Sequence, residues 1–400
     1  QAQAYSGLGQ VYARRPALRQ RAIDYFNKAL SADSSSAEIY YHMAAVYSDI
    51  GTEQTIDFAH RAIALDSTYS APYKLLAEWY ATGDWYATQQ EDLAATYSYT
   101  RYLALEPEDL DATVPFGKVL LRSGDYPTLE RVVLPYLQSH PEETTDLLPI
   151  AAQWAAAKEQ FEPSNTYWGR FLSRVSERTQ ETYTSPRPVL TKDEIERYEM
   201  RSAESRRTFA ADFWAQRDLD PTTEVNERLL EHYRRVWLAR ESFAEVTYPW
   251  DRRGEVYIRY GNPDYRSRSN RAPTSMPLAV EQVKERLFAD LYRTRATGAL
   301  VGTVFPVRAS RAMLADQFGM MGRNDADSHT QGDAFMPVTS GEDYSLVPWE
   351  SWVYVDVGGG MEITFTDELG SGNYNFAPLP PRQLPGMRSM SRLQEHAPRP

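Results

Sequence analysis

Small residues and tyrosines recur in the first 180 residues at an interval close to the ~34-residue period of helix pairs that stack on copies of themselves. Ala29, Ala62 and Ala104 end three similar segments, YFNKAL, FAHRAIAL and YTRYLAL, at intervals of 33 and 42 residues. The longer interval predicts an insertion of about eight residues around Trp85–Asp92. Each segment is predicted to be the second helix of a pair, with its alanine where the two helices cross.

The helices predicted upstream of these segments agree in phase. Each carries an apolar residue, a small residue and a tyrosine at the same spacing: Leu8, Gly9 and Tyr12; Met43, Ala44 and Tyr47; Leu76, Ala77 and Tyr80. Gly51, Gly83 and Gly124 mark predicted turns between the first and second helix of a pair. Pro107 and Pro141 follow second helices, since proline cannot continue a helix.

This pattern resembles the tetratricopeptide repeat (TPR) family over residues 1–180, with a fifth, weaker unit over 147–176. The resemblance implies a helical solenoid with a concave face. The usual use of that face is to bind an extended peptide or a partner subunit. The alternative is that the repeats only space or dock the domain that follows.

Residues 181–193 are polar and contain two prolines, which predicts a linker. Thr191 and Glu194 have the spacing of a capping box, in which each residue hydrogen-bonds the backbone of the other. Two helices are predicted after it, over about 192–216 and 222–244.

His232, Arg234 and Arg235 fall outside the apolar stripe of the helix predicted over 222–244. They could form a solvated face, or a basic edge near Asp264.

The segment Glu255–Asp264 reads EVYIRYGNPD and alternates apolar with other residues before it turns. Val256, Ile258 and Tyr260 would share one face of a strand. The glycine, asparagine, proline and aspartate that follow are turn residues. The sequence therefore predicts a strand that runs into a forced turn.

This segment and its surroundings resemble the bacterial GWxTD domain over about residues 190–378. The resemblance rests on FWAQRDLDPTTEVNERLLEHYRRVWLARESF, TYPWDRRGEVYIRYGNPD, WESWVY and MEITFTDELGSGNYNF. The family-motif positions are Trp250, Gly254, Tyr257, Gly261, Pro263 and Asp264. Pro249 replaces the expected glycine and one position is missing before Gly254, a departure that favours a structural role for the motif. The family is of unassigned function and often joined to TPRs in exported bacterial proteins.

The second domain is predicted over residues 194–377, with an insertion at 266–348 relative to the family pattern. Alternating residues on either side of Gly358-Gly359-Gly360 predict a hairpin. The predicted fold class is mainly α: a TPR-like helical solenoid followed by a small α+β domain with an antiparallel sheet of about four strands. The Pro- and Arg-rich tail, 378–400, is predicted to be extended and to be ordered only against a neighbour.

The net charge of −12 makes nucleic acid and anionic lipid poor partners for this acidic protein. No run approaches the ~18 apolar residues of a membrane span, so no transmembrane segment is predicted. The absence of cysteine excludes disulfides and thiol catalysis in this sequence. Resemblance to exported proteins implies a periplasmic, outer-membrane-associated or extracellular location.

Recognisable catalytic motifs are missing: phosphate-binding loops, nucleophile elbows and zinc-binding helices do not occur in the sequence. Asp325, Asp327 and Asp333 alternate as oxygen ligands of a calcium loop do, but the expected glycine and bidentate glutamate are absent, so a plain polar loop is the alternative and no cofactor is predicted.

Asp251, Asp264 and Asp356 could supply paired carboxylates for acid–base catalysis if they meet at the sheet edge.

The sequence thus predicts a non-enzymatic protein–protein interaction scaffold, a subunit of an exported bacterial cell-envelope or extracellular assembly. Its partners would be other protein chains, bound through the solenoid groove and the C-terminal tail, in a homo- or hetero-oligomer. One alternative is a hydrolase acting on peptide or glycan through carboxylates near the motif. Another is a glycan- or peptide-binding module that uses Trp250, Trp349 and Trp352 as stacking platforms.

Overall fold

The chain forms two compact units, Gln1–Ser176 and Glu177–Pro400. They are seen in a computed structural model. The structure describes residues 1–82, 87–142, 144–245, 248–269, 275–296, 300–309, 334–339, 343 and 345–380.

Five consecutive helix pairs build the described part of the first unit. They are α1 (Ala2–Ala13) with α2 (Arg19–Ala32), α3 (Ala37–Ile50) with α4 (Gln54–Leu65), α5 (Ala71–Ala81) with α6 (Gln89–Leu105), α7 (Leu110–Ser123) with α8 (Tyr126–Ser139), and α9 (Leu148–Ala157) with α10 (Phe161–Arg174). Each helix packs on its partner and on the next pair, which confirms the predicted TPR-like solenoid.

Local signals decide where these helices end. Gly51 and Gly124 adopt left-handed backbone conformations, with φ of 79° and 72°, and close α3 and α7. Asp109 and Asp125 begin α7 and α8 as N-caps, accepting hydrogen bonds from backbone amides. The predicted turns at Gly51 and Gly124 are therefore confirmed, whereas the one at Gly83 lies outside the described residues.

Small residues lie at the helix crossings of the first two repeats. Gly9 in α1 lies against Phe26 in α2, where a Cβ would come within 2.7 Å of the ring. In the second repeat the equivalent contact joins Ala44 and Ala59 in one buried cluster. The small side chains at these two crossings let the backbones of the paired helices approach closely.

Ala104 corrects one sequence prediction. Ala29 and Ala62 are fully buried as predicted, but Ala104 is exposed, and its neighbours Tyr102 and Leu103 are buried instead. Helix α6 has 17 residues against 12 in α4, so part of the insertion lengthens the helix and shifts its phase. Counting the repeat by alanine spacing missed that shift.

The odd-numbered helices form the inner side of the solenoid. They contact one another in succession, α1 with α3, α3 with α5, α5 with α7 and α7 with α9. Among the described residues the even-numbered helices lack packing of similar extent with one another. Since the more closely spaced row lies on the inside of a curved stack, we call the surface of the odd-numbered helices the inner face.

Six α-helices and six strands are described in the second unit. The helices are α11 (Glu177–Thr184), α12 (Lys192–Glu199), α13 (Ala203–Ala215), α14 (Glu227–Ser242), α15 (Arg252–Tyr260) and α16 (Leu278–Tyr292). The strands are β1 (Tyr265–Arg268), β2 (Val307–Ala309), β3 (Ala334–Met336), β4 (Trp349–Tyr354), β5 (Met361–Thr366) and β6 (Asn375–Phe376).

Four of the strands form an antiparallel sheet in the order β1-β4-β5-β6, and β2 pairs with β3. Tyr265 lies opposite Val353, and Trp352 lies opposite Ile363. Every residue of β4 is buried, because α16 covers one face of the sheet and other parts of the unit cover the opposite face. The mainly α fold with a four-stranded antiparallel sheet is confirmed.

The motif segment is a helix, which makes the strand predicted for Val256–Tyr260 wrong. Asp251 is the N-cap of α15, and Gly261, with a φ of 80°, ends it. Val256, Tyr257 and Ile258 are all buried, because α15 packs against α14 on one side and against β6 and residues 187–189 on others. Burial on several sides made the short apolar pattern look like alternation.

Two predicted boundaries also change. The first strand of the sheet is β1, which occupies the start of the predicted insertion at 266–348, because the motif itself is helical. The predicted linker, 181–193, contributes to the core: Tyr183 and Leu190 are buried, and residues 187–189 form a 3-10 turn. Two prolines and polar neighbours obscured these buried positions.

The capping box of Thr191 and Glu194 is confirmed, with Thr191 N donating to Glu194 at 2.8 Å. The helix predicted over 192–216 is interrupted at 200–202, and Ser202 caps the second part, α13. No helix in the described part of the chain has the length and apolar character needed to cross a membrane. Of the predicted tail, 378–400, only 378–380 belong to the described residues.

Candidate functional site

The inner face carries a connected polar cluster that spans three repeats. Lys74, in α5, donates from Nζ to Asp109 Oδ2 at 2.7 Å, and Tyr102 Oη donates to the same oxygen at 2.6 Å. Glu78, one turn after Lys74, and Tyr41 of α3 lie near this pair. Tyr102 itself is a buried residue of the even-numbered helix α6. We call Tyr41, Lys74, Glu78 and Asp109, together with the supporting Tyr102, the inner-face cluster.

Mutual interactions set the charge states in the inner-face cluster. Burial would raise the pKa of Asp109, but hydrogen bonds from Lys74 and Tyr102 outweigh it and lower the pKa. Partial burial raises the pKa of Glu78, and the charge of Asp109 adds to that effect. Burial, with Glu78 nearby, raises the pKa of Tyr41. The cluster therefore presents a lysine, two carboxylates and the neutral phenol of Tyr41 across adjacent repeats, while the buried Tyr102 holds Asp109 in place.

Asp251, the predicted motif carboxylate, is buried and fully engaged. Its side chain accepts hydrogen bonds from the amides of Arg253 at 2.9 Å and Tyr374 at 3.0 Å. Its Oδ2 also lies 2.7 Å from Nη2 of Arg253. Asp251 thus caps α15 and ties the start of that helix to the segment that leads into β6.

Arg253 bridges Asp251 to Glu350, a buried residue in β4, at 3.0 Å. Trp352 Nε1 donates to the other oxygen of Glu350, and the ring of Tyr374 lies 4.0 Å from the guanidinium carbon. Burial opposes the charge of Arg253, but Glu350 and Asp251 raise its pKa. We call Asp251, Arg253, Glu350 and Trp352 the motif network.

The other motif positions also serve the fold. Gly254 lies under Trp250, where a Cβ would be 2.5 Å from that side chain. Tyr257 is fully buried and its hydroxyl accepts from Arg234 at 3.2 Å. The carbonyl of Gly261 accepts from Tyr354 Oη at 3.0 Å. The contacts of Tyr257 and Gly261 join α15 to α14 and β4, and that of Gly254 packs the chain just before α15 onto the helix.

Asp264 and Asp356 lie away from Asp251. Asp264 precedes β1 and accepts a hydrogen bond from the Val355 amide at 2.7 Å, beside the end of β4 that carries Asp356. Asp251 contacts Tyr374 next to β6, at the opposite edge of the sheet. Since β1 and β6 are three strand spacings apart, the separation is roughly 14 Å. Asp251 therefore cannot pair with either of the others for acid–base catalysis.

A cleft of about 770 Å³ opens beside the motif and holds the exposed Tyr248, whose accessible fraction is 64%. Trp250 and Tyr374 also line it. Two ion pairs also belong to the lining: Arg187 pairs with Glu199 at 2.8 Å and Arg206 with Glu181 at 3.8 Å. Its volume is typical of a ligand cleft, about 300–1,000 Å³. We call it the motif cleft.

The proposed tryptophan stacking platforms fare differently. Trp250 is half-buried at the motif cleft, but Trp349 and Trp352 have accessible fractions of 3% and 0%. Their indole nitrogens donate to Asp343 and Glu350. The prediction that these two tryptophans stack on a glycan is wrong, because strand β4 is covered on both faces.

The calcium-loop candidates Asp325, Asp327 and Asp333 lie outside the described residues, so that site stays a prediction. No group of three or more potential metal-ligating side chains occurs among the residues that the structure covers.

Sequence reasoning missed Glu350 and the acceptor role of the half-buried Glu231, which binds Arg234 and Arg235 at 2.6 Å each. The i, i+3 and i, i+4 spacing of Glu231 to the two arginines was the available signal. For Glu350 no local signal exists, since Arg253 is 97 residues away. His232, predicted on a solvated face or basic edge, is instead buried against Trp214.

No protein-family model matches this sequence, and no curated protein matches it either. Among solved structures the chain is similar to YrrB, described as a TPR protein with an unusual peptide-binding site, with a TM-score of 0.38, 20% identity and coverage of 43% of this chain and 86% of that chain. The chain is also similar to MamA, with a TM-score of 0.38, 20% identity and coverage of 45% of this chain and 94% of that chain. For PilF of Pseudomonas aeruginosa the TM-score is 0.36 and the identity 17%, with coverage of 54% of this chain and 89% of that chain.

Proposed function

We propose that this chain is a non-enzymatic interaction subunit whose first unit binds an extended segment of another protein along the inner face. The second unit acts as a GWxTD-like module that offers another point of attachment. The resemblance to that family suggests an exported bacterial protein of the cell envelope or the extracellular space.

The inner-face cluster is the observation that carries this proposal. Stacked repeats create an elongated surface, and here three of them contribute charged and phenolic side chains to one connected set. An extended peptide offers amides and side chains at regular intervals, so it can contact successive repeats in turn. A scaffold that only spaced two domains would need no such set.

The motif contacts support a structural role for the second unit. Asp251 is occupied by Arg253 and the Tyr374 amide, and Asp264 accepts from the Val355 amide. Carboxylates held in this way position α15 and the sheet edges. The hydrolase alternative would need a pair of them at one place, and the strand order separates Asp251 from Asp264.

Affinity purification from the native source tests the proposal. A tagged wild-type chain is compared with the double variant Tyr41→Ala, Glu78→Gln, and co-purifying proteins are quantified by mass spectrometry. We expect wild type to retain a defined set of proteins. The double variant should retain at least about tenfold less of each, since interface hot spots contribute about 2 kcal/mol or more.

Asp57→Asn is the matched control, an exposed carboxylate on the even-numbered helix α4. Thermal melting establishes that each variant is folded. A wild-type chain that retains no more protein than the tag alone would overturn the proposal. If the double variant retains the same proteins in the same amounts as wild type, the inner face is not the binding surface.

The motif cleft favours a second candidate, a glycan- or peptide-binding module. Tyr248 and Trp250 could stack on a sugar or a side chain, while the paired arginines and glutamates of the same lining offer hydrogen bonds. Tyr248→Ala should then weaken binding in a glycan or peptide array about tenfold, while Tyr260→Ala, an exposed tyrosine outside the cleft, leaves it unchanged.

A further inference from the structure

A second, smaller pocket of about 240 Å³ in the second unit is lined by four arginines. They are Arg217 after α13, Arg228 and Arg235 in α14, and Arg259 in α15. Glu231 contributes the one carboxylate of the lining. We call this the arginine pocket.

Backbone carbonyls hold three of the guanidinium groups in place. Arg259 donates to the carbonyls of Pro188 at 3.1 Å and Leu190 at 2.6 Å. Arg235 Nη1 donates to the Ile258 and Arg259 carbonyls. Arg217 donates to the Phe213 carbonyl at 3.2 Å. A carbonyl orients a guanidinium but does not neutralise its charge.

The one carboxylate of the lining does not neutralise the charge of the four arginines. Glu231 is shared between Arg235 and Arg234, the latter behind the pocket, at 2.6 Å each. Glu194, the capping-box residue of α12, is close enough to Arg217 for that charge to contribute to its lowered pKa, after the hydrogen bonds from Thr191. Four arginines thus line the pocket with one carboxylate, and that carboxylate is shared with a fifth arginine outside the lining.

His232 adds no charge to the pocket. Burial lowers its pKa to about 3, so it is neutral near pH 7. The pocket therefore keeps a net positive charge on preoriented guanidinium groups, the arrangement that binds a carboxylate or phosphate through charge-assisted hydrogen bonds.

Apolar side chains form the rest of the lining. They are Val189, Phe213, Trp214 and Ile258, and the last three are buried. The guanidinium of Arg217 lies 3.5 Å from the centre of the Phe213 ring, so charge and apolar surface are adjacent. A phosphate alone would leave this apolar part of the pocket uncontacted.

We propose that the arginine pocket binds a carboxylate attached to a small apolar group. A free organic acid and the C-terminal residue of a peptide share this chemistry. The volume suits one such group, and the guanidinium groups take the carboxylate while the aromatic and aliphatic side chains take the apolar part. This site is independent of the inner face and of its protein partner.

Isothermal titration calorimetry on the full chain tests the proposal with five probes. They are 4-methylpentanoate, 4-methylpentanamide, inorganic phosphate and a short peptide ending in leucine with a free or amidated C-terminus. We expect the acid to bind at least about tenfold more tightly than the amide, because only the carboxylate forms hydrogen bonds with the guanidinium groups in which both partners are charged. Binding of the acid but not of the free-ended peptide assigns the source as a free acid, and tighter binding of that peptide assigns a chain terminus.

Arg228→Gln and Arg217→Gln should each lower the affinity for 4-methylpentanoate about tenfold. Arg207→Gln, on α13 and outside the lining, should leave its affinity unchanged. Thermal melting of each variant shows whether it is folded. Equal binding of acid and amide, unchanged affinity in both pocket variants, or phosphate binding as tight as that of the acid would overturn the proposal.

Discussion

The two units bury different kinds of side chain. Among the described residues of the first unit the buried set is almost wholly apolar or neutral, with Asp92 as its charged member. The described core of the second unit includes Asp251, Lys284, Glu350 and Glu362. The solenoid is therefore stabilised by shape, through small and large residues at helix crossings, whereas the second unit depends on ion pairs between distant segments.

The difference predicts how each unit responds to a single change. Removing one member of a buried ion pair leaves an uncompensated charge, which costs more than most changes of apolar volume by one methyl group. The second unit should therefore be the more sensitive of the two to loss of a single charged side chain.

The largest expected effect is that of Arg253→Met. It leaves Asp251 and Glu350 buried without their shared cation, so the free energy of unfolding should fall by about 3–5 kcal/mol. Urea unfolding followed by tryptophan fluorescence measures it.

Arg252→Met is the matched control, because its pair with Glu255 is more exposed, with 42% of the arginine side chain accessible. A surface pair contributes about 0–1 kcal/mol. If the two variants lose similar free energy, the motif network does not hold the second unit together.

The same contrast explains how much of the fold could be predicted. Repeated helices carry their own signals, such as Gly51 and Gly124 at turns, so the solenoid followed from periodicity. The hairpin around Gly358-Gly359-Gly360 was equally local, and it joins β4 to β5 as predicted. Each of these elements is specified by residues close together in the chain.

Contacts between distant segments could not be predicted in this way. The helix α15 looked like a strand because its burial on several sides depends on elements elsewhere in the sequence. Start and stop signals were present, since Asp251 caps the helix and Gly261 ends it, and they were outweighed by the apolar pattern. Neither the link from Arg253 to Glu350 nor the arginine pocket has a signature within one segment.

The next largest effect is expected on acidification, which should destabilise the second unit through His232. Burial lowers its pKa to about 3, against about 6.5 in an unfolded chain, so it binds a proton on unfolding. The stability this contributes is present above pH 6.5 and is lost as pH falls toward 3. Between pH 7 and pH 5 the second unit should lose about 2 kcal/mol.

Hydrogen exchange measured by mass spectrometry at both pH values separates the units. After correction for the intrinsic exchange rate, peptides from α14 should lose more protection than peptides from α3 and α5. His232→Gln should abolish the extra loss. A loss of equal size in the two units would assign it to general charge effects.

A smaller effect is expected in the solenoid for Gly9→Ala. The added Cβ meets the Phe26 ring, and overpacking costs about 1–3 kcal/mol, offset by about 1 kcal/mol of helix propensity. Gly7→Ala, in the same helix with open space around it, should instead stabilise by up to about 1 kcal/mol. Thermal unfolding of both variants measures the difference, and equal melting temperatures would show that the crossing is not tightly packed.

The smallest expected effect concerns Asp264. Its hydrogen bond from the Val355 amide lies at an exposed position, so Asp264→Ala should cost about 1 kcal/mol. Asp264→Asn keeps an acceptor oxygen and should stay within about 0.5 kcal/mol of wild type, as should Asp356→Ala. A catalytic carboxylate would instead make the two variants equally inactive, because an amide preserves the fold but cannot take up a proton. Any peptide or glycan hydrolysis lost equally in Asp264→Asn and Asp264→Ala would therefore assign chemistry to this residue, whereas unfolding that follows the presence of an acceptor oxygen assigns it to the fold.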